Sequence, residues 1–283
     1  PEKREEKLPE VREPEQSLKS VESGEILIIN SNEPLELQEF PHQPRTGSSM
    51  IPATIENLEY LLSSYGIVAR YNVVKKKLQI SVPGSVGASD NADNAAMTQI
   101  ISLANLNGLP VGQLPSFVEV IGDRNSYNPV ADWIKSESWD GIERLQEFQD
   151  TLVEKEGYPK PLKELLMHKW LISAVAAVLK PSGFRARGVL TIQGPQSIGK
   201  TAWISNLVSG QTLRDNLIKL DHHLDASDKD TVLTAVSHWI VEIGELDSSF
   251  KKDIARLKGF LTSYSDKIRR PYARGDSEYP RRT

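Results

Sequence analysis

Apolar positions recur with helical spacing in the first half of the chain. In "TIENLEYLLSSYGI" they fall at Ile55, Leu58, Leu61 and Leu62, with Thr54 placed to cap the helix and Gly66 to stop it. "VARYNVVKKKLQISV" then alternates as two short strands around a lysine turn. "DNADNAAMTQIISLANLNG" and "LPSFVEVIGDRN" return to helical spacing. In "NSYNPVADWIKSESWDG", Pro129 lies near a helix start, and Trp133 and Trp139 read as packing anchors of a small helical unit. "PLKELLMHKWLISAVAAVLKPSG" predicts a long helix ended by Pro181 and Gly183. A short apolar run, "VLTI", leads into a glycine-containing loop, and "KTAWISNLV" resumes as a helix. "WIVEIGEL" predicts a buried strand through Ile240, Val241 and Ile243.

This pattern divides the chain into three. Residues 1–24 are rich in Glu, Lys and Pro, with too little apolar content to offset the entropy of ordering, and read as a disordered charged tail. Residues 25–155 read as a mostly helical accessory region with short strands, opened by the candidate strand "EILIIN". Residues 156–283 read as an α/β core. No internal repeat is found.

Composition narrows the function. The chain has 283 residues, 39% hydrophobic and 25% charged, ordinary values for a globular protein. It has no cysteine, which excludes disulfides and thiolate metal sites. The apolar run "LISAVAAVL" is about half the length a membrane span requires. The N-terminus has charges where a secretory signal needs an apolar stretch, so no membrane association and a cytoplasmic location are expected. The net charge of -4 hides an asymmetry, because residues 250–283 carry ten Lys or Arg against four acids.

Gly194, Gly199, Lys200 and Thr201 complete the pattern G-x-x-x-x-G-K-[ST]. Its glycines let backbone N–H groups face phosphate oxygens, its lysine reaches the β- and γ-phosphates, and its Thr hydroxyl holds Mg2+. A chain of this size shows the bare pattern by accident on the order of once in a hundred times. ATP and Mg2+ are the expected cofactors. Hydrolysis needs an acid as well, and "WIVEIGEL" offers Glu242 inside the strand, for the metal, and Glu245 at its end, to activate water. The rival reading is an edge strand with solvated glutamates. In the basic segment, Lys258, Arg269 and Arg270 suit phosphates and Tyr272 suits base stacking; a solvated basic face is the alternative. His222 and His223, without a third ligand at helical spacing, read as surface or polar-loop residues.

"GPQSIGKT", "WIVEIGEL" and "LKGFLTSYSDKIRRPYAR", in this order and spacing, resemble the virulence-associated E (VirE/VapE) family of phage, prophage and plasmid ATPases. That family is similar to the superfamily 3 helicases of the AAA+ class. "TIENLEYLLSSYGIVARYN" and "YNPVADWIKSESWDG" resemble it too. The resemblance implies a P-loop NTPase core working as a homo-oligomeric ring, a helicase-like motor in replication of a mobile element. Gly194, Gly199, Lys200 and Thr201 become its Walker A site and Glu245 its Walker B glutamate. Lys258 and Arg269 to Tyr272 would then lie near a loop facing single-stranded DNA, gripped without sequence preference. A sensor strand ending in Asn and an arginine supplied to a neighbouring subunit are not recognised before Thr283, unless Arg281 or Arg282 serves. The core therefore reads as C-terminally truncated or degenerate. A replication initiator that binds DNA and ATP without turnover is the alternative; a small-molecule kinase fits less well.

Overall fold

The computed structural model describes residues 33–48, 50–84, 91–244, 254–268 and 277–283. The expected tail and the strand "EILIIN" lie outside these residues up to position 32.

The first part of the chain builds a small α/β unit. Helix α1 (Ile55–Ser64) starts where Thr54 accepts a hydrogen bond from Asn57 N and ends before Gly66, whose φ of 66° a side chain would resist. Strands β1 (Val68–Asn72) and β2 (Lys77–Ser81) pair antiparallel, Val68 opposite Ser81 and Asn72 opposite Lys77, around the turn 73–76. Helices α2 (Ala92–Leu106) and α3 (Leu114–Arg124) cover the hairpin, and β3 (Ser126–Tyr127) adds to β1 in parallel, giving the order β2-β1-β3. Leu58, Leu61, Ile100, Leu114 and Val118 are fully buried or nearly so and form its core. The helical periods and the lysine turn are therefore found where the sequence predicts them.

A second cluster forms from later elements. Helix α4 (Pro129–Ile134) is capped by Asn128, and α5 (Leu145–Asp150) precedes the long α6 (Lys160–Leu179), which ends before Pro181 as expected. Then come α7 (Lys200–Ser205), α8 (Gln211–Leu217), β4 (Ile218–Lys219), α9 (Lys229–Val236) and β5 (Ile240–Val241). Helix α10 (Ile254–Leu261) is followed by the antiparallel pair β6 (Ser265–Ile268) and β7 (Ser277–Pro280). The second core gathers Val178, Val208, Leu217, Ile218, Trp239 and Ile240 with Val74 and Val130 from the earlier segment. Trp133 packs edge-on against Trp239, but Trp139, expected as a second anchor, is 77% exposed and only donates its indole N–H to Ile142 O.

The lysine turn joins the two units. Val74 is fully buried in the second core. Lys76 donates to Val236 O, at the carbonyl end of α9, where a cation is favoured. Lys75 Nζ lies 3.0 Å from His238 Nε2, while His238 Nδ1 faces Thr234 O at 2.7 Å. The Nδ1–H donor to Thr234 leaves Nε2 as an acceptor for Lys75.

Burial pushes His238 from 6.5 down to about 4, opposed by its hydrogen bond to the Thr234 carbonyl and assisted by the charges of Lys75 and Lys219. It pushes Lys75 from 10.5 to about 8, assisted by the charges of Lys77 and Lys219. A lowered pKa on a base means that the unfolded chain binds the proton more tightly, so stability is lost as pH falls through the interval. For His238 that interval runs from 6.5 to about 4. Across it, the denaturation midpoint of the parent should fall relative to that of His238→Gln, which cannot titrate. Parallel pH curves for the two proteins would show that His238 is not the group responsible.

Candidate functional site

The loop from Gly194 to Thr201 is exposed except at Lys200, which is half-buried. Ser197 and Gly199 have φ of 64° and 93°, a left-handed backbone that bends the loop back on itself. A Cβ on Gly194 would come within 2.6 Å of Ile198 Cδ1. The Lys200 ammonium turns into the bend and donates to the carbonyls of Gly194, at 3.0 Å, and Pro195, at 2.7 Å. Gly194, Gly199 and Lys200 are thus gathered into one concave turn. The flanks differ from the sequence reading. Among the described residues the run "VLTI" pairs with no strand and Val189 is 53% exposed, because an apolar segment becomes a strand only where a neighbour completes the ladder. The following helix, α7, stops at Ser205.

The acid arrives from the parallel pair β4 and β5, with Ile218 opposite Ile240 and Lys219 opposite Val241. Backbone bonds extend the ladder on both sides: Trp239 N–H to Leu217 O at 2.9 Å, Glu242 N–H to Lys219 O at 2.8 Å and His222 N–H to Glu242 O at 2.8 Å. Glu242 therefore stands just past the end of β5 rather than inside it. Its Oε1 accepts from the Thr201 hydroxyl at 2.7 Å, and its Oε2 accepts from Asp221 N–H at 3.1 Å. Thr201 and Glu242, separated by 41 positions, are thereby brought together.

Asp221 is the residue the sequence reading missed. It follows β4 as Glu242 follows β5, so the signal was the same: an acid at the carboxyl end of an apolar strand, in "LIKLD". It sits at φ 47° with its carboxylate against Gly244, where an added Cβ would meet Asp221 Oδ1 at 1.9 Å. Among the described residues no group of three metal-ligating side chains of the His, Cys, Asp and Glu kind occurs. His222 is a correction to the surface reading: it is buried, with Nε2 3.0 Å from Thr231 O. Glu245, Arg269, Arg270 and Tyr272 lie outside the described residues, while Lys258 is exposed near the end of α10. Arg281 is engaged inside the protein, in a buried bidentate pair with Asp266 and 4.2 Å over the Phe260 ring.

These features define a mixed helix and strand protein in which a glycine loop meets the acid-bearing ends of two parallel strands. Residues 134–283 match the virulence-associated protein E-like domain, and the chain belongs to that family. Membership relates it to the replication proteins of phages and plasmids. No curated protein matches the chain. Among the described residues no helix is long and apolar enough to cross a membrane.

The contact between Asp221 and Gly244 makes a direct prediction. Gly244→Ala should lower stability by about 1 to 3 kcal/mol, the usual cost of forcing a methyl into occupied space. Asp221→Gly, which suits the left-handed backbone, should return most of that loss in the double variant. Thermal unfolding of the four proteins in the cycle decides the matter, and a double variant no better than Gly244→Ala would exclude this contact as the cause.

Proposed function

We propose that the chain binds Mg-ATP in the Gly194–Thr201 loop and uses its hydrolysis to drive a helicase-like motor on DNA during replication of a phage, prophage or plasmid. The observation that carries the proposal is the 2.7 Å hydrogen bond between Thr201 and Glu242, which unites the candidate phosphate loop with the candidate metal acid. The residues present fit the cofactor. A hydroxyl and a carboxylate are the hard oxygen ligands Mg2+ prefers, and the left-handed turn at Ser197 and Gly199 bends the backbone around the Lys200 ammonium. Bound Mg2+ would neutralise phosphate charge and fix the triphosphate for in-line attack.

The chain's own groups have separable tasks. Lys200 supplies a positive donor to the phosphate oxygens in exchange for the two carbonyls it holds. Thr201 and Glu242 present oxygen to the metal. Asp221 N–H steadies the second oxygen of Glu242, and Glu245, three residues further on, is placed by sequence to orient water. DNA and a ring of identical subunits are the partners this reading entails.

A second reading, ATP binding without turnover, draws on the same geometry: both Glu242 oxygens accept hydrogen bonds, so this carboxylate serves to hold the site rather than to take a proton. Glu245 separates the two. In the hydrolytic reading Glu245→Gln binds ATP as the parent does and loses turnover, measured as phosphate release; a Gln variant as active as the parent would remove Glu245 from catalysis.

Binding itself is tested by calorimetry. Lys200→Ala deletes a charge-assisted contact of roughly 1.5 to 3 kcal/mol. Mg-ATP affinity should therefore fall about tenfold or more with the fold intact. An unchanged affinity in the folded variant would mean that the loop is not a phosphate site.

A further inference from the structure

A cleft of about 210 Å³ opens between the two units, away from the residues assigned above. Val73 from the lysine turn, Tyr127 and Asn128 before α4, and Val178 at the end of α6 form its walls, and Lys135 and Arg282 bring charge. Arg282 is half-buried, yet it has no carboxylate partner among the described residues. Its guanidinium donates to backbone carbonyls, Val178 O at 3.2 Å and those of Lys180 and Pro181 at 3.5 Å, and Tyr71 lies within electrostatic reach. Burial accordingly disfavours its charge and lowers its pKa. Lys135 is exposed at the cleft mouth and has no side-chain partner among the described residues. The α4 acid Asp132 is not part of the cleft wall.

The segment that follows α6 carries more of the same charge. Lys180, Arg185 and Arg187 are exposed and make no ion pair with a described acid. Phe184 N–H donates to Arg281 O, which holds this segment beside Arg282. A half-buried cation without an anion is costly unless a ligand supplies one. A guanidinium fork beside a lysine point charge matches a phosphate group. The aromatic rings nearby are already occupied: Tyr127 lies under Arg70 at 4.1 Å, and Phe184 lies under Lys180 at 5.4 Å. The recognition offered is of phosphate, not of bases.

We infer that this cleft is a phosphate-binding site in which Arg282 and Lys135 hold a phosphate of a single-stranded nucleic-acid backbone, with Lys180, Arg185 and Arg187 continuing the track. The nucleic-acid source rests on the proposed function; the phosphate chemistry does not. The site lies between the units, so a bound strand would touch both the accessory region and the family domain.

The test uses the whole chain and two probes, a fluorescent oligothymidylate titrated against salt and inorganic phosphate followed by thermal shift. Lys135→Gln and Arg282→Gln should each weaken oligonucleotide binding by roughly three- to tenfold. Each should also reduce the log–log salt slope by about 0.7. Stabilisation by inorganic phosphate should be lost, Mg-ATP affinity should be kept, and Arg282→Lys should recover part of the binding. Loss of the phosphate effect with oligonucleotide binding unchanged would keep the site and assign it to free phosphate. If Lys135→Gln, which breaks no side-chain hydrogen bond or ion pair with a described residue, matches the parent with both probes, the cleft does not bind phosphate. Lys200→Ala should leave oligonucleotide binding intact, so a failure of the ATP reading shows in ATP affinity alone.

Discussion

The candidate site depends on the pairing of two very short strands. β4 and β5 share a register of two residue pairs, lengthened by the flanking bonds from Trp239 to Leu217 and between Glu242 and both Lys219 and His222. The side-chain period of a strand is two residues, so a slip of one position would turn Glu242 away from Thr201 and bring its apolar neighbours outward. Register is held by burial rather than by ladder length. Leu217, Ile218, Trp239 and Ile240 are all buried, and the Trp239 indole is fixed by donating to Ala174 O of α6 at 2.9 Å. Long-range packing thus sets the position of one carboxylate oxygen.

The same region receives the lysine turn. Val74 fills the second core, and Lys75 and Lys76 bond to groups at the end of α9, immediately before β5. The β1–β2 hairpin therefore touches His238, which lies two residues before the strand that leads to Glu242. This is a contiguous chain of contacts between the accessory region and the site. It accounts for the two lysines of the hairpin turn, Lys75 and Lys76, which lie against other parts of the fold instead of in water.

Family membership and local geometry bear on different questions. The family assignment covers residues 134–283 and relates the chain to mobile-element replication. The arrangement of Lys200, Thr201, Glu242 and Asp221 speaks to chemistry, and it contains one member, Asp221, that no motif singles out. Gly244 completes it, since a side chain there would compete with the Asp221 carboxylate for space.

Local features were legible in the sequence because local forces decide them. The Thr54 cap, the Gly66 stop, the lysine turn and the end of α6 before Pro181 all follow from backbone preference and apolar period, and the glycine loop with its lysine follows from residue type alone. Features that require a partner from elsewhere were not. "VLTI" has the composition of a strand but no neighbour among the described residues to complete its ladder, and Trp139 has the bulk of an anchor but is left exposed. His222 is buried because β5 pairs beside it, which its own neighbours in sequence do not disclose. Sequence by itself determined which residues stand as candidates, through the glycine-lysine pattern and the acid beside an apolar run. Tertiary structure decided that Thr201 and Glu242 meet, that Asp221 joins them and that Arg282 lines a cleft with no acid among its described wall residues, because each of these is a contact between segments whose separation no local period encodes.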